Sequence, residues 1–261
     1  MGTTKNAGFT ILETMLFLAI TGVMIATLLV SVGASINIQR YRDSVSSLKS
    51  LLQSQYSSIE NVQNSRDDGW RCGATAQTSQ TGALQAVGQS DCILIGRYIE
   101  LNGSTVTIAT VNAFKNPSVT PTGDDVNIIR TGYTLGLSTV TQDIKTLEWG
   151  TTIAWPVGGG SNTRSTGMLI LRSPETGSVY TFTVDNPVPI ANMNAANLRA
   201  LIVPGVAAAQ NQRENIICVD SQGLVLTGNI ALVINARAAS ETAIETRSND
   251  LMASRGVATR C

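Results

Sequence analysis

The feature that most constrains this chain is a long stretch near its start that contains almost no charge. From Phe9 to Gln39 the only charged side chain is that of Glu13. A membrane-spanning α-helix needs about 20 predominantly apolar residues, and this stretch is longer than that. Eight residues precede it, and Lys5 is the only charged one among them. The sequence therefore predicts a helix over residues 9–39 that can lie in a bilayer or in another apolar environment.

The position of Glu13 is the unusual part of this stretch. A charged side chain inside a membrane costs about 2.5 kcal/mol or more unless it finds a partner. A secretory signal would have a shorter apolar core, about 7–15 residues, followed by a small-residue cleavage site. A plain single-pass anchor fits the length of the stretch, but it leaves Glu13 unexplained.

A third interpretation is a short leader, residues 1–8, that is cut after Gly8. Phe9 and Glu13 then lie one helical turn apart on the same face. The freed α-amino group of Phe9 is a ready cation for the Glu13 carboxylate, in the same chain or in a neighbouring one.

These residues resemble a known family. The segment Gly8-Phe9-Thr10-Ile11-Leu12-Glu13 is similar to the prepilin signature of type IV pilins and type II secretion pseudopilins. The polar leader, the Gly–Phe junction, the lone glutamate and the apolar run occur in the same register. The resemblance covers roughly the first 30 residues. Many members of the family carry a proline midway along this helix, and none occurs here.

The resemblance implies cleavage between Gly8 and Phe9 by a membrane prepilin peptidase, followed by N-methylation of Phe9. It also implies that Glu13 pairs with the Phe9 amine of an adjacent subunit during assembly. The implied partners are other pilin subunits in a homo- or heteropolymer, a pilus assembly platform protein and an ATPase. The implied location is the inner, or cytoplasmic, membrane for a single-pass precursor, and then an extracellular pilus or a periplasmic pseudopilus.

Apolar residues continue at helical spacing beyond the uncharged stretch, in residues 40–64. They recur three and four positions apart with charged residues between them, which indicates an amphipathic helix with one buried stripe. The stripe consists of Tyr41, Val45, Leu48, Leu52, Tyr56, Ile59 and Val62. Joined to the apolar half, it predicts one helix of about 55 residues, roughly 80 Å long at about 1.5 Å per residue.

Residues 65–261 are expected to form a β-rich globular head. Pairs of apolar segments separated by turn-forming residues predict three hairpins. The paired segments are 93–101 with 105–111, 168–172 with 179–184, and 216–219 with 224–233. Asn102-Gly103 suits a type I′ turn in the first hairpin.

The remaining segments of the head are shorter. Strands are predicted at 126–129, 133–137, 144–149 and 151–155, and a short helix at 192–201. The tail, Ala238 to Cys261, is ambiguous between helix and extended structure. The predicted fold is therefore α+β, with a long N-terminal helix packed on an antiparallel β-rich head, a pilin-like architecture.

The four cysteines are an even number in a chain that we expect to be exported. Disulfides are common in oxidising compartments, and four cysteines allow three pairings. We favour Cys72–Cys92 and Cys218–Cys261, because each closes a local loop and the last residue needs to be held in place. Four free thiols are the alternative. A metal site is disfavoured, because there is no Cys-x-x-Cys motif and no histidine.

Composition argues against several other functions. The net charge is zero and no Lys/Arg cluster occurs, so a basic surface for nucleic acid is not supported. Without histidine a Ser/His/Asp or Cys/His arrangement cannot form. The acid pairs Asp67-Asp68 and Asp124-Asp125 are expected to be solvated turn residues rather than catalytic groups or calcium ligands. We therefore expect neither an enzyme nor a cofactor.

The expected function is that of a structural subunit, processed by prepilin peptidase and polymerised through its N-terminal helix into a surface filament. The length of the chain favours a minor or elaborated pilin. A type II secretion pseudopilin is the first alternative. A membrane-tethered adhesin or binding module that never polymerises is the second.

Overall fold

The computed structural model of this chain describes residues 10–61, 70–79, 90–156, 164–203, 214–223, 229–235, 238–248 and 261. It has an α+β fold in which a long N-terminal helix packs on antiparallel sheets, as predicted. The helices and strands of these residues are α1 (Ile11–Glu60), β1 (Arg71–Cys72), β2 (Thr78–Ser79), β3 (Cys92–Asn102), β4 (Thr105–Lys115), α2 (Asp125–Gly132), β5 (Tyr133–Thr146), β6 (Thr152–Ala154), β7 (Ser165–Arg172), β8 (Val179–Asp185), α3 (Ala195–Leu201), β9 (Asn215–Asp220), β10 (Ile230–Ile234) and β11 (Ile244–Ser248).

Helix α1 is one continuous element of 50 residues. It ends at Glu60, slightly before the predicted end at Asn64. The predicted stripe is confirmed from Tyr41 to Ile59, where each of its members is at most 2% exposed. Val62 lies outside the described residues. The apolar and amphipathic halves of the chain's start therefore belong to a single helix.

The larger sheet contains five antiparallel strands in the order β5-β4-β3-β7-β8. Its β3–β4 and β7–β8 pairs confirm the first and second predicted hairpins. Side chains alternate across a strand, so the sheet has one face on α1 and the other on α2 and α3. In β3, Ile99 and Leu101 pack with the stripe of α1, whereas Tyr98 packs on the opposite face.

The turn of the first hairpin differs by one residue from the prediction. Asn102 pairs with Thr105, so Gly103 and Ser104 are the two central residues. Gly103 has a φ of 55°, and Ser104 has no positive φ. A type I′ turn needs positive φ at both central positions, whereas a glycine at the first position is typical of type II′. The predicted hairpin is present, but the predicted type I′ turn is wrong.

The smaller sheet contains four strands in the order β11-β10-β9-β6, also antiparallel. The β9–β10 pair confirms that the two segments of the third predicted hairpin are antiparallel neighbours. The predicted four-residue turn between them is wrong, because Val219 is opposite Ile230 rather than Leu224. The tail, which the sequence leaves ambiguous, forms strand β11 over Ile244–Ser248. β6 lies within the predicted segment 151–155 and pairs with β9 at the edge of this sheet.

Two strand predictions are wrong in detail. The run Val126–Ile129 lies in helix α2, because Asp124 caps this helix by accepting a hydrogen bond from the Asn127 N–H at 2.9 Å. A short apolar run does not by itself distinguish a strand from a buried helix segment. The segments predicted at 133–137 and 144–149 are mostly one strand, β5, after which Glu148–Gly150 forms a 3₁₀ turn. The predicted helix at 192–201 is confirmed as α3.

The main core lies between α1 and both sheets, so this helix packs against each of them. Its buried residues are Tyr41, Val45, Leu48, Leu52, Tyr56, Ile59, Ile99, Leu101, Val106, Ile108, Leu147, Ile153, Met168, Ile170, Ile217, Val219, Leu232, Ile234, Ala238 and Ile244. A second core lies on the far face of the larger sheet, where Ile129 of α2 and Leu198 of α3 are buried.

Two disulfides join the cysteines in the favoured pairing. Cys72–Cys92 connects β1 to the start of β3, with Cα atoms 5.7 Å apart. Cys218–Cys261 connects Cys261 to the middle of β9, with Cα atoms 5.4 Å apart. All four cysteines are therefore used in cross-links that hold segments to the strands.

A buried arginine links the two sheets. The Arg164 side chain is 4% exposed and forms an ion pair with Asp185 at the end of β8. It also donates to the Ile216 carbonyl and, at 3.2 Å, to the Asn215 side chain, both in β9. Its guanidinium lies 4.7 Å from the ring centroid of Trp155. A buried charge needs compensating partners, and Arg164 takes them from β8 of the larger sheet and β9 of the smaller one. These contacts therefore hold the two sheets together.

We expect Leu52→Ala to lower the free energy of unfolding by about 2–5 kcal/mol, because it leaves a cavity in the main core. Leu52 is fully buried. Leu51→Ala is the matched control, since it removes the same atoms from a neighbour that is only partly buried, and its loss should be smaller. Urea titration of the full chain in detergent micelles measures both. Equal losses would contradict the assignment of the buried stripe.

Candidate membrane and assembly helix

The predicted cleavage and assembly residues lie at the beginning of α1. Gly8 and Phe9 are outside the described residues. Thr10 is the N-cap of α1, and Glu13 lies in its first turn. Of the three predicted residues Gly8, Phe9 and Glu13, the structure therefore describes only Glu13.

Thr10 and Glu13 have a local structural role that the sequence analysis missed. The Glu13 N–H donates to the Thr10 hydroxyl at 3.3 Å and to the Thr10 carbonyl at 3.1 Å. Threonine followed three residues later by glutamate is the spacing of a capping box, which is the signal that could have located the start of α1. A carboxylate in the first turn is also stabilised by the helix dipole, by about 0.3–1 kcal/mol.

The carboxylate of Glu13 has no partner in the described part of the head. The side chain is exposed, and it makes no hydrogen bond or ion pair with another described residue. Its backbone N–H is used by the cap, but its charge is not neutralised there. A group outside the described residues of this chain must supply any counter-charge.

The first half of α1 projects from the head without covering. Its most apolar 18-residue window has a mean hydropathy of 2.5, and none of that window is buried. Large apolar side chains such as Leu12 and Leu29 are 79% and 68% exposed. A helix that is apolar all round is stable only inside a membrane or a protein core. This half is long and apolar enough to cross a membrane.

The hydroxyl groups of Thr14, Thr21 and Thr27 in this half are satisfied within the helix. Thr14 donates to the Ile11 carbonyl at 2.9 Å, and Thr21 donates to the Phe17 carbonyl at 2.8 Å. Such bonds satisfy polar side chains within the helix itself. The helix thus needs no external hydrogen-bond partner at these positions, which suits an apolar environment.

Tyr41 joins the helix to the end of the head from which the apolar half emerges. Its hydroxyl donates to the Val219 carbonyl at 2.7 Å and accepts from the Ile230 N–H at 2.6 Å. Burial raises the pKa of the Tyr41 hydroxyl, and the hydrogen bond from the Ile230 N–H partly opposes this effect. We call this end of the head the proximal end. It includes Tyr41, the β3–β4 turn at Gly103 and the 3₁₀ turn Glu148–Gly150.

The proximal end is closed by contacts between α1, the β3–β4 turn and the 3₁₀ turn. The Leu147 N–H donates to the Ser104 carbonyl at 2.7 Å. The Ser44 and Thr151 hydroxyls are 2.6 Å apart. The guanidinium of Arg40 lies 4.8 Å from the ring centroid of Trp149. Arg40 is the first charged residue after Glu13, so the apolar half of α1 ends at this level.

The opposite, distal end of the head holds the last turn of α1. The Tyr56 and Thr181 hydroxyls are 2.9 Å apart, and Arg172 donates to the Glu60 carbonyl at 3.0 Å. A cleft of about 650 Å³ lies beside Arg172, between the start of β3 at Ile93–Ile95 and the β7–β8 turn. Arg172 is thus used in part to cap the C-terminus of α1.

The acid pairs behave as structural residues where they are described. Asp124 caps α2, and Asp125 accepts hydrogen bonds from the hydroxyls of Ser173, Thr176 and Tyr180 at 2.6, 2.6 and 3.0 Å. Asp67 and Asp68 lie outside the described residues. Within the part of the chain that the structure describes, no group of three or more His, Cys, Asp or Glu residues could hold a metal ion.

We compared the chain with protein-family models, curated proteins and solved structures. No protein-family model, curated protein or solved structure matches the chain.

We expect Tyr56→Phe to flatten the loss of stability at high pH. Burial raises the pKa of Tyr56 to about 12, from 10.0 in the unfolded chain. The unfolded state therefore loses its proton first, so the contribution of Tyr56 to stability is full below pH 10 and is lost as the pH rises towards 12. The difference corresponds to at most about 2.7 kcal/mol.

The free energy of unfolding, measured by urea titration between about pH 9 and pH 12, tests this expectation. Leu51→Ala is the control, because it removes no titrating group and should shift the curve without changing its slope. An unchanged slope in Tyr56→Phe would show that the buried hydroxyl does not contribute.

Proposed function

We propose that this chain is a type IV pilin-like structural subunit that is cleaved after Gly8 and polymerised through α1 into a filament. The observation that carries the proposal is the first half of α1, which is exposed and uncharged except for the unpartnered carboxylate of Glu13. An apolar helix with one acid in its first turn suits a subunit that moves from a bilayer into a packed bundle of helices.

Before assembly, the apolar half of α1 holds the precursor in the inner, or cytoplasmic, membrane as a single-pass protein. The head is on the other side of this membrane from the leader. Its two disulfides are consistent with folding in an oxidising compartment. A prepilin peptidase in the same membrane would cut between Gly8 and Phe9 and leave an amine at Phe9, which is then methylated.

Assembly exchanges lipid contacts for contacts with other helices. Lipid tails are as apolar as leucine side chains, so the hydrophobic effect alone gives no net gain in this exchange. Close packing of helices and pairing of charges must then supply the specificity, while an assembly ATPase and a platform protein supply the work of extraction. The final location is an extracellular pilus or a periplasmic pseudopilus.

The charge pair is formed by Glu13 and the Phe9 amine of a neighbouring subunit. Cleavage creates this amine one helical turn from Glu13, and an α-amino group with a pKa of about 7.7–8.0 is largely protonated at neutral pH. At about 4 Å and an effective dielectric constant of about 20, the Coulomb attraction between the two charges is about 4 kcal/mol. Methylation at the amine keeps the positive charge, so pairing and modification are compatible.

We expect Gly8→Leu to leave the precursor uncut, because a large side chain replaces the glycine at the scissile bond. Gly2→Ala is the matched control within residues 1–8 and should be processed normally. Gel mobility separates the two forms, and mass spectrometry of the mature protein should report a chain that begins at methylated Phe9. Normal processing of Gly8→Leu would contradict the proposed leader.

We expect Glu13→Ala and Glu13→Gln to insert and be cleaved, but to assemble poorly. Removing one partner of a buried pair costs about 3–5 kcal/mol, which corresponds to an association constant lower by roughly 10²- to 10⁴-fold. Glu60→Ala is the control, because it removes an exposed glutamate at the other end of α1. The measurement is filament yield after shearing, with membrane integration checked by carbonate extraction.

The filament yield of the Glu13 variants distinguishes a polymerising subunit from a membrane-tethered module that never polymerises. A membrane-tethered adhesin or binding module does not need a counter-charge between subunits. Wild-type filament yield in both Glu13 variants, or the absence of the chain from any filament, would favour that tether.

A further inference from the structure

Trp149 occupies an unusual position at the proximal end of the head. Its side chain is 50% exposed although it is one of the largest apolar groups in the chain. Its backbone has a φ of 57°, in the left-handed region that bulky residues rarely adopt. Backbone conformations of this kind cost energy and persist only where the surrounding structure holds them. The fold therefore holds this tryptophan at the surface rather than allowing it to pack inside.

The contacts around Trp149 fix its height along α1. Arg40 lies over the indole ring at 4.8 Å, and a cation over the face of a tryptophan is an attractive arrangement. Next to the ring, the Thr151 N–H donates to the Glu148 carbonyl at 3.2 Å, and the Thr151 hydroxyl contacts Ser44. The ring is thus held at the level where the apolar half of α1 ends.

The most exposed apolar side chains of the described head are at this same end. Ile144 is 63% exposed and lies two residues before the end of β5, and Trp149 follows in the 3₁₀ turn. Trp70 lies at the distal end, next to β1 and the Cys72–Cys92 disulfide. The two most exposed large apolar side chains of the described head therefore lie at the end that faces away from the distal cleft and towards the exposed half of α1.

The spacing of charges along α1 matches the thickness of a bilayer. Glu13 and Arg40 are 27 residues apart with no charged residue between them, which is about 40 Å along an α-helix. A bilayer with its headgroup regions is about 40–45 Å thick. With Arg40 among the headgroups of one leaflet, Glu13 reaches the headgroups of the other. Trp149 then lies at the membrane surface, where tryptophan is enriched in membrane proteins.

We propose that Trp149 and Arg40 form a membrane-interface anchor, which seats the proximal end of the head in the phospholipid headgroup layer before assembly. This inference rests on the membrane-inserted precursor of the proposed function. Indole suits this layer because its ring is apolar and its N–H is polar. The nearby charges have no positive excess, with Arg40, Arg42 and Lys145 against Asp43, Asp143, Glu148 and Asp220. The contact therefore does not require anionic lipid.

Tryptophan fluorescence of the full chain in phospholipid vesicles tests the anchor. Lipids brominated near the headgroup end of their acyl chains quench a tryptophan that lies at the interface. We expect quenching in the wild type and the loss of most of it in Trp149→Phe, because Trp70 lies at the distal end and Trp155 is less exposed and is covered by the guanidinium of the buried Arg164. Vesicles with and without anionic phospholipid should give the same result.

The controls distinguish this inference from the proposed function. Carbonate extraction should show that the wild type and Trp149→Phe are equally integrated in the membrane, and circular dichroism should show that both are folded. An integrated wild type whose quenching is unchanged by Trp149→Phe would overturn the anchor alone. A wild type that is not integrated would overturn the anchor and the proposed membrane stage together.

Two further outcomes would also overturn the anchor. Quenching confined to anionic vesicles would assign the contact to charge attraction through Arg40 and Arg42. A Trp149 emission that shifts to shorter wavelength only in filaments, without quenching by lipid, would assign the ring to a neighbouring subunit.

Discussion

The packing of the second half of α1 against both sheets is the interaction on which the rest of the structure depends. Leu48, Leu52 and Ile59 belong to one core with residues of β3, β7, β9 and β10, so the helix holds the two sheets together. Because this half is fixed in the head, the position at which the first half emerges is fixed as well. The arrangement places an uncovered apolar helix at one end of an otherwise well-packed head.

The uncovered half of α1 has different energetic requirements in its two proposed environments. In a bilayer, its apolar side chains are satisfied, and Glu13 can remain near headgroups and water at low cost. In a filament, the same carboxylate would lie among helices, where an unpaired charge is expensive. A single acid can therefore be tolerated before assembly and still require a partner during it. This difference connects the proposed anchor at Trp149 with the proposed pairing of Glu13, because the anchor determines how deeply the helix sits.

The sequence predicts those parts of the fold in which local pattern and tertiary contact agree. The stripe from Tyr41 to Ile59 follows a helical period, and the first two hairpins combine apolar segments with turn signals. In the third, the pairing of the strands is predicted but the position of the turn is not. The strand prediction for Val126–Ile129 is wrong because so short an apolar run does not distinguish a strand from a helix. The cap at Asp124, which begins helix α2, distinguishes them. The buried Arg164 gives no local signal, since its partners in β8 and β9 are distant in the sequence. Glu13 can be found as a lone charge, whereas the exposure of Trp149 depends on how the end of β5 meets α1.

The hydroxyl of Tyr41 has a mechanical consequence for any fibre built from this chain. Tension along such a fibre would be carried by its helices, and each head would be held by the residues that join it to α1. Tyr41 bonds to the backbone of both β9 and β10, so a pull on the helix is shared between two adjacent strands rather than applied to one. Cys218 precedes Val219 in β9 and is covalently bonded to Cys261. The strand that receives this load is thus reinforced by a covalent bond one residue away.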